Sequence, residues 1–371
     1  MKMNKTLWMS LAALVLAGVL SSCGKKTADE IFEEQKGGVV LVLNKFYYKV
    51  EMPGGQQLFF NGIDQNGNLL GFTTNEAEAK AKAQMLNGTG FFVSDDGQFV
   101  TNRHVAATDV DSRQLRAQLA SIVRASLMQY AMAARQIKSK YNMLEAQKSQ
   151  FMEYDFFGNI VDGDETQLRQ IVQEQKKLEQ MYEEVAEGAR QLQNANLNNI
   201  KVTTVSNIGI SYDGEKVNSP SDFLDKNPCA ILKISEKENA DLALLQLKSK
   251  KTPKGAYVFK FAGEGNKSYF NGNSSEGKIK IDQQLYMIGY NAGLMLANTQ
   301  KGISVQMTSG RVTQTPDGER VTYSIPTVQG SSGSPVIDEK GNVVAVNFAK
   351  LVGSDNFNFG IPLEQIRDFL K

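Results

Sequence analysis

Three short stretches of this chain carry the residue types needed for catalysis by a nucleophilic serine. Ser332 lies in the small-residue stretch GSSGSPV, the only histidine, His104, lies in TNRHV, and Asp241 lies in NADLALLQL. A serine hydroxyl is inert until a base takes its proton, and imidazole titrates close to neutral pH. A carboxylate can fix the imidazole tautomer and stabilise the imidazolium that forms. The order His, Asp, Ser along the chain is one in which such triads occur, so we predict these three residues to be catalytic.

The glycines around Ser332 have a chemical use of their own. Gly330 lets the main chain turn sharply, so that the N–H groups of Gly330 and Ser332 can converge on one point. Two convergent N–H groups form an oxyanion hole, which stabilises the negative charge that develops during acyl transfer. We therefore predict Gly330 and Ser332 as the oxyanion-hole residues. The alternative is an ordinary surface loop, which gives Ser332 no special role.

Composition excludes several other classes of function. The 371 residues contain 41 Lys and Arg against 40 Asp and Glu, and this balance argues against a nucleic-acid-binding protein. The single His and the two Cys are too few to form a zinc site from clustered ligands, and two Cys do not make a disulfide framework. We therefore expect no metal and no cofactor.

The N-terminus has the features of a targeting segment. Lys2 and Lys5 precede an apolar run that ends in Leu20-Ser21-Ser22-Cys23, which resembles a bacterial lipobox. This resemblance implies lipidation of Cys23 and a membrane-anchored protein of the bacterial cell envelope. Gly24 is no inner-membrane retention signal, which favours the outer membrane, on its periplasmic or surface face. The alternatives are an ordinary secretory signal and a short anchor helix.

The rest of the chain alternates between β-rich and helical sequence. Short β-like runs with Asn/Gly and Asp/Gly turns fill the chain from Gly38 and again after Ile200, apart from a helix predicted over Asn75–Leu86. Between Asp109 and Leu197, apolar residues recur at three-four spacing in two long runs, which predicts an antiparallel coiled-coil hairpin. The predicted segments are 1–23, a signal peptide with lipobox; 24–37, a tether; 38–108, the first part of a β-barrel; 109–198, the hairpin insertion; 199–250, the rest of that barrel; and 251–371, a second barrel with a C-terminal helix.

The hairpin leaves two questions open. It is either a rigid decoration or an arm for a protein partner or for self-association, because heptads alone do not encode a partner. The break between its helices, FMEYDFFGNI, holds several aromatic residues. These either pack on one another and cap the hairpin or form an exposed contact patch at its tip.

The motifs TNRHV, NADLALLQL and GSSGSPV, in that order, resemble the three catalytic blocks of the trypsin-like serine peptidases. The similarity is greatest to the HtrA/Deg and glutamyl-endopeptidase-like branches, and it covers roughly residues 38–108 and 200–371. It implies a mainly β fold, a trypsin-like double six-stranded β-barrel, here with a long inserted antiparallel helical hairpin. It also implies a serine endopeptidase that cleaves peptide or protein substrates through an acyl-enzyme. The PDZ domains usual in HtrA enzymes are not expected.

The same resemblance places a substrate pocket and shows where this chain departs from its relatives. The pocket positions are Thr327, Gln329, Asn347 and Phe348, with the backbone around Phe348 pairing with an extended substrate. Glutamyl-specific relatives have a histidine at the position of Asn347, so a neutral pocket for small or polar side chains is expected here. The digestive relatives have an aspartate at the position of Ser331, which pairs with a new N-terminus on activation, so zymogen cleavage of that kind is not expected. The alternative function is a latent or inactive protease-fold scaffold whose coiled coil binds a partner.

Overall fold

The computed structural model describes residues 26–52, 55–108, 110–154, 156–157, 160–194, 196–237, 239–261, 279–350 and 357–371. The predicted signal peptide, residues 1–23 with the lipidation site Cys23, lies outside these residues. The chain divides into two compact units. Unit 1 contains residues 1–46, 84–109 and 206–371, and unit 2 contains residues 47–83 and 110–205.

Short β-strands make up most of the regular structure outside the two long helices. In chain order they are β1 (Val39–Glu51), β2 (Gln57–Phe60), β3 (Gly62–Ile63), β4 (Leu69–Leu70), β5 (Gln84–Phe92), β6 (Gln98–Thr101), β7 (Met152–Tyr154), β8 (Ile160–Gly163), β9 (Lys201–Tyr212), β10 (Cys229–Ile234), β11 (Ala243–Leu247), β12 (Gln284–Gly289), β13 (Asn298–Thr299), β14 (Gly302–Ile303), β15 (Gln306–Arg311), β16 (Val321–Tyr323), β17 (Pro335–Ile337), β18 (Val343–Lys350) and β19 (Asn358–Pro362).

The helices include two that are much longer than the rest. In chain order they are α1 (Ala28–Gln35), α2 (Glu76–Ala81), α3 (Arg103–Ala106), α4 (Ser112–Lys148), α5 (Glu165–Gln193), α6 (Pro220–Lys226), α7 (Leu294–Ala297) and α8 (Leu363–Leu370). Short 3-10 turns occupy Lys36–Gly38, Ser149–Phe151 and Leu197–Asn199. Among the described residues, no helix is both long enough and apolar enough to cross a membrane.

Unit 1 is built on two antiparallel sheets. In the first, the strand order is β10-β11-β6-β5-β1, with β9 also paired to β1. In the second, the six strands follow the order β15-β12-β17-β18-β19-β16. The sequential strands β5 and β6 are joined by the turn Ser94–Gly97, where Gly97 has a φ of +75° that glycine adopts without strain. This turn returns the chain towards the segment that carries His104.

The core of unit 1 lies on both faces of β1. Val39, Leu41 and Leu43 point into a large apolar cluster shared with the second sheet, and Val40 and Val42 point into a separate cluster beneath the first sheet. Because successive side chains of a strand alternate between its faces, a strand buried on both faces needs an unbroken apolar run. The stretch VVLVL supplies that run.

Unit 2 contains the two long helices. Asp111 caps α4 and Asp164 caps α5, each by accepting hydrogen bonds from backbone N–H groups of the first turn. Lys140 pairs with Glu174, and the ring of Tyr130, earlier on α4, lies against Gly188, later on α5, so residue numbers rise on one helix as they fall on the other. The helices are therefore antiparallel, joined by the β7–β8 hairpin. In the same unit, the final residues of β1 pair with β2.

At the turn between the long helices, Phe156 and Phe157 are 97% and 84% exposed. Their ring centroids are 5.6 Å apart in an edge-to-face arrangement. The two rings therefore pack on each other and also form an exposed patch, so the two predictions for this tip are not exclusive.

The predicted fold class is confirmed: two antiparallel sheets with a long inserted helical hairpin. One element was predicted wrongly, because the helix expected over Asn75–Leu86 ends at Ala81 and is followed by strand β5. Gln84, Met85 and Leu86 instead pair with β1, so sheet formation overrides the helical propensity of the Ala/Lys/Glu-rich segment. The predicted segment boundaries stay predictions.

Candidate active site

His104 lies on α3, a single helical turn directly after strand β6. The buried side chain of Asn44, on β1, donates from Nδ2 to the carbonyl oxygens of Val105 (3.0 Å) and Ala106 (2.9 Å). Both carbonyls belong to the last residues of a four-residue helix and accept no hydrogen bond within it. The bonds from Asn44 supply the missing donors and fix the helical turn. The ring of His104 is thereby held at a defined place on the sheet.

Asp241 binds His104 through both of its carboxylate oxygens. Its Oδ2 lies 2.5 Å from Nδ1 of the ring, and its Oδ1 accepts from the backbone N–H of His104 at 3.0 Å. The main chain of Asp241 is fixed as well, since its carbonyl oxygen accepts from Asn102 Nδ2 (2.8 Å) and from the N–H of Arg103 (3.2 Å). With Nδ1 bonded to the carboxylate, Nε2 is the nitrogen left to act as a base.

Burial and hydrogen bonding act on Asp241 in opposite directions. Burial raises the pKa of this carboxyl, but the bonds from the ring and backbone of His104, together with the charge of Arg103, outweigh it, so the pKa is lowered. Asp241 is thus a carboxylate at neutral pH. Its side chain is 18% exposed, whereas that of His104 is 44% exposed, so the acid is covered and the base is accessible.

Ser332 lies in a bend that is bonded to the strands leading to His104. The carbonyl oxygen of Ser332 accepts from the N–H of Thr89 at 2.8 Å, and the carbonyl oxygen of Gly330 accepts from Thr89 Oγ1 at 2.8 Å. Thr101, at the end of β6, donates in turn to the carbonyl oxygen of Thr89 at 2.6 Å. Thr89 therefore links the serine bend to strand β6, which leads into the helical turn of His104.

Two glycines allow this close approach. A Cβ on Gly333, which has a φ of +88°, would lie 2.0 Å from the carbonyl oxygen of Thr89. A Cβ on Gly88 would lie 2.6 Å from the side chain of Val105 and 3.1 Å from the carbonyl oxygen of Ser332. Val105, the residue after His104, and the backbone of Ser332 thus both lie beside Gly88. The structure therefore brings all three predicted catalytic residues together in unit 1.

The groups predicted as nucleophile and oxyanion hole are not engaged by other groups in the described part of the protein. Within the described residues, the Ser332 hydroxyl and the N–H groups of Gly330 and Ser332 have no hydrogen-bond partner. The bond between a nucleophile and its base is often loose in a protein without substrate. The two N–H groups, one residue apart beside the hydroxyl, are available for a developing oxyanion.

The predicted pocket residues fall into two groups. Thr327 and Asn347 are buried, and Thr327 donates to Asn358 Oδ1 at 2.6 Å. Gln329 is exposed and Phe348 is half-buried. Residues 351–356, which follow β18, lie outside the described part of the chain, so the pocket itself stays a prediction.

Three polar residues that hold the site were not predicted from the sequence: Asn44, Thr89 and Asn102. All three are fully buried. An asparagine is usually a turn or cap residue, so Asn44 in the apolar run VVLVLN was the available signal. Among the described residues, no group of three His, Cys, Asp or Glu is placed to hold a metal ion.

Residues 187–346 match the family model of the trypsin-like peptidase domain. The matched range contains Asp241 and Ser332, and His104 precedes it on the far side of the insertion. A search of curated protein sequences gives no significant match.

Solved structures give a likeness of fold at low identity. The active form of the protease Rv3671c of M. tuberculosis is 14% identical over 92% of this chain and 82% of its own, with a TM-score of 0.39. An inactive form of the same protein is 14% identical over 92% and 89%, with a TM-score of 0.38. The serine endoprotease of Yersinia pestis is 12% identical over 93% and 65%, with a TM-score of 0.41. These scores are too low to transfer residue roles. The match of residues 187–346 to a trypsin-like peptidase domain, together with the two-sheet fold, supports a serine-type endopeptidase.

Proposed function

We propose that this protein cleaves peptide bonds with a triad of Ser332, His104 and Asp241, through an acyl-enzyme. The observation that carries the proposal is the double hydrogen bond between Asp241 and His104, which fixes both the ring and the backbone of the histidine. A largely covered carboxylate held by two hydrogen bonds in this way needs a reason. Orienting a general base for the neighbouring serine provides one.

The steps follow from the positions of the groups. Ser332 Oγ attacks the carbonyl carbon of the scissile bond while His104 Nε2 takes its proton, and the N–H groups of Gly330 and Ser332 donate to the oxyanion. The tetrahedral intermediate collapses as the C–N bond breaks and His104 returns the proton to the leaving amine. Water, deprotonated by His104, then hydrolyses the ester on Ser332 and restores the enzyme.

The substrate is proposed to be an extended peptide or protein segment. The backbone at Phe348 lies on β18 and would add the substrate as a further strand. A pocket made by Thr327, Gln329, Asn347 and Phe348 carries no charge. It would accept small or polar side chains.

Labelling with a fluorophosphonate probe tests the triad. We expect the wild-type chain to be labelled, and Ser332→Ala and His104→Ala to be inert, since losing either residue costs on the order of 10⁵-fold or more in turnover. Ser334→Ala is the matched control, because this buried serine lies two residues further along the same bend. Equal labelling of wild type and Ser332→Ala, or no labelling of a folded wild type under any condition, would overturn the proposal.

We also propose that the protein is anchored by lipid at Cys23 in the outer membrane of the bacterial cell envelope. The support is the sequence Leu20-Ser21-Ser22-Cys23 after an apolar run. Metabolic labelling with a fatty acid should mark the wild type and not Cys23→Ser. Soluble, unlabelled wild type would contradict this part of the proposal.

The helical hairpin supports a second candidate role, in which a coiled coil binds a partner or a second copy and the protease is latent without it. The supporting observation is apolar exposure: Met128 and Met132 on α4 are 70% and 56% exposed, in addition to the phenylalanines at the tip. Exposed apolar side chains in a cluster are typical of contact surfaces. Labelling that appears only after envelope extract is added would favour latency, and labelling of the purified chain would exclude it.

A further inference from the structure

Asn347 lies where strand β18 passes alongside the Ser332 bend, and its main chain is bonded to that bend. Its N–H donates to the carbonyl oxygen of Ser334 at 2.9 Å, and its carbonyl oxygen accepts from the N–H of Gly333 at 2.8 Å. These two bonds fix the chain directly after Ser332. They would form with any residue except proline at this position.

The side chain of Asn347 reaches the chain directly before Ser332. Its Nδ2 donates to the carbonyl oxygen of Ser331 at 3.0 Å and lies 3.3 Å from Ser331 Oγ. Ser331 Oγ donates onwards to the carbonyl oxygen of Val328 at 2.7 Å. One asparagine therefore holds the bend on both sides of the serine, and only its amide can make the contacts on the Ser331 side.

Tyr323, on β16, fixes the orientation of that amide. Its hydroxyl donates to Asn347 Oδ1 at 2.8 Å, which leaves Nδ2 facing Ser331. Tyr323, Ser331 and Asn347 are 0%, 1% and 2% exposed. A polar group buried so deeply is costly when it loses its partner, so the amide has a strong preference for this one arrangement.

The network is uncharged. Burial raises the pKa of the Tyr323 hydroxyl well above its ordinary value, so it stays protonated. Serine and asparagine do not ionise in the pH range of proteins. An ion pair between an aspartate and a freed N-terminus, which the resemblance assigns to digestive relatives at the position of Ser331, has no counterpart in this network.

We propose that Asn347, oriented by Tyr323, is the positioning residue that keeps the N–H groups of Gly330 and Ser332 in their oxyanion-binding arrangement. It does so without a charged group and so without proteolytic activation. Both amide N–H groups and the amide oxygen of Asn347 are used inside the protein, so this residue forms part of the pocket wall without donating to the substrate. The inference rests on the proposed triad and concerns the loop that presents it.

The test compares variants of the full chain with matched controls. Asn347→Leu removes the amide at similar volume, and Tyr323→Phe removes only the hydroxyl that orients it. Gln35→Met removes another buried amide, which donates to the carbonyl oxygen of Gly341. Tyr290→Phe removes another buried tyrosine hydroxyl, which donates to the carbonyl oxygen of Val39. In both controls the polar group that is removed contacts the carbonyl oxygen of a residue outside the bend.

We expect Asn347→Leu to lower kcat and the fluorophosphonate labelling rate by about 10²-fold, the usual effect of losing oxyanion stabilisation, with little change in KM. Tyr323→Phe should lower both by about tenfold, because the amide keeps its bond to Ser331 but loses its orientation. The two controls should keep wild-type rates. The single histidine allows a further readout: the downfield NMR proton of the His104–Asp241 bond should persist in Asn347→Leu.

The outcomes separate this inference from the proposed function. If folded wild type is not labelled under any condition, with or without envelope extract, the triad proposal fails and the role of Asn347 fails with it. If wild type is labelled and Asn347→Leu matches it in rate, the positioning role is wrong and the triad stands. If Asn347→Leu loses both the rate and the His104 proton signal, the residue is a general structural one and the inference is overturned.

Discussion

The bond between His104 and Asp241 determines how this protein should respond to acid. The pKa of Asp241 is lower in the folded protein than in the unfolded chain, where it is about 3.9. Its stabilising contribution is therefore complete above the unfolded value and is lost as the pH falls through the folded value. Asp241→Asn removes this contribution and leaves the other carboxylates in place.

We therefore expect wild-type stability to fall more steeply than that of Asp241→Asn as the pH is lowered from about 5 to 3. Urea unfolding midpoints measured across this range would show it. Equal slopes would mean that Asp241 is no better paired in the folded state than in the unfolded chain. At neutral pH the same variant should lose about 10⁴-fold in turnover, since the ring loses its fixed tautomer.

Cys229 gives a second prediction at this scale. Burial raises the pKa of its thiol to about 12, so at pH 8 only about 10⁻⁴ of it is thiolate. In a Cys23→Ser background, we expect Cys229 to react with iodoacetamide only as fast as the protein unfolds. Rapid reaction in the native protein would contradict the burial of this side chain.

At the scale of elements, the bend at Ser332 depends on contact with strand β5. Gly333 and Gly318 have nearly the same φ, +88° and +87°, but only Gly333 has backbone within reach of an added Cβ. The pair therefore separates the cost of the left-handed backbone from the cost of pushing the bend away from Thr89. Substituting each with alanine tests which matters for activity.

We expect Gly318→Ala to lose about 1 kcal/mol of stability and no activity. Gly333→Ala should lose about 2–4 kcal/mol and at least 10²-fold in turnover, since the bend must move and carry Ser332 with it. Urea unfolding and steady-state kinetics on the two variants give both numbers. Equal effects would show that the contact with β5 is not what positions the serine.

The elements also show which parts of the site can be predicted from sequence. His104, Asp241 and Ser332 stand in motifs of distinctive local composition, and the structure brings them together. Asn44 and Asn347 act through partners 61 and 16 residues away in sequence, and no local pattern encodes such distant hydrogen bonds. The helix expected to reach Leu86 shows the same limit, because pairing with β1 overrides a local preference.

At the scale of the whole molecule, we expect the tip of the hairpin to contribute little to the stability of the fold. Substituting Phe156 and Phe157 together with serine should change stability by no more than about 0.5 kcal/mol, because both rings are already in solvent. Leu119→Ser, at a buried position on α4, should cost about 3 kcal/mol. Urea unfolding of the two variants checks this. A large loss of stability in the tip variant would show that the two phenylalanines contribute to the stability of the fold.

The place of the insertion in the chain affects how the active site assembles. His104 and Asp241 are 137 residues apart, so pairing them closes a long loop with a corresponding loss of chain entropy. The antiparallel helices form through contacts local to the insertion. The chain enters and leaves the insertion at nearby points, since α4 contacts Leu197–Asn199, which follow the end of α5. Once the two helices have paired, their residues no longer lengthen the loop between His104 and Asp241, which is then effectively roughly 56 residues long. The free-energy cost of closing this loop is lower by about 0.8 kcal/mol. If the hairpin folds first, His104 and Asp241 then come together across a much shorter effective loop.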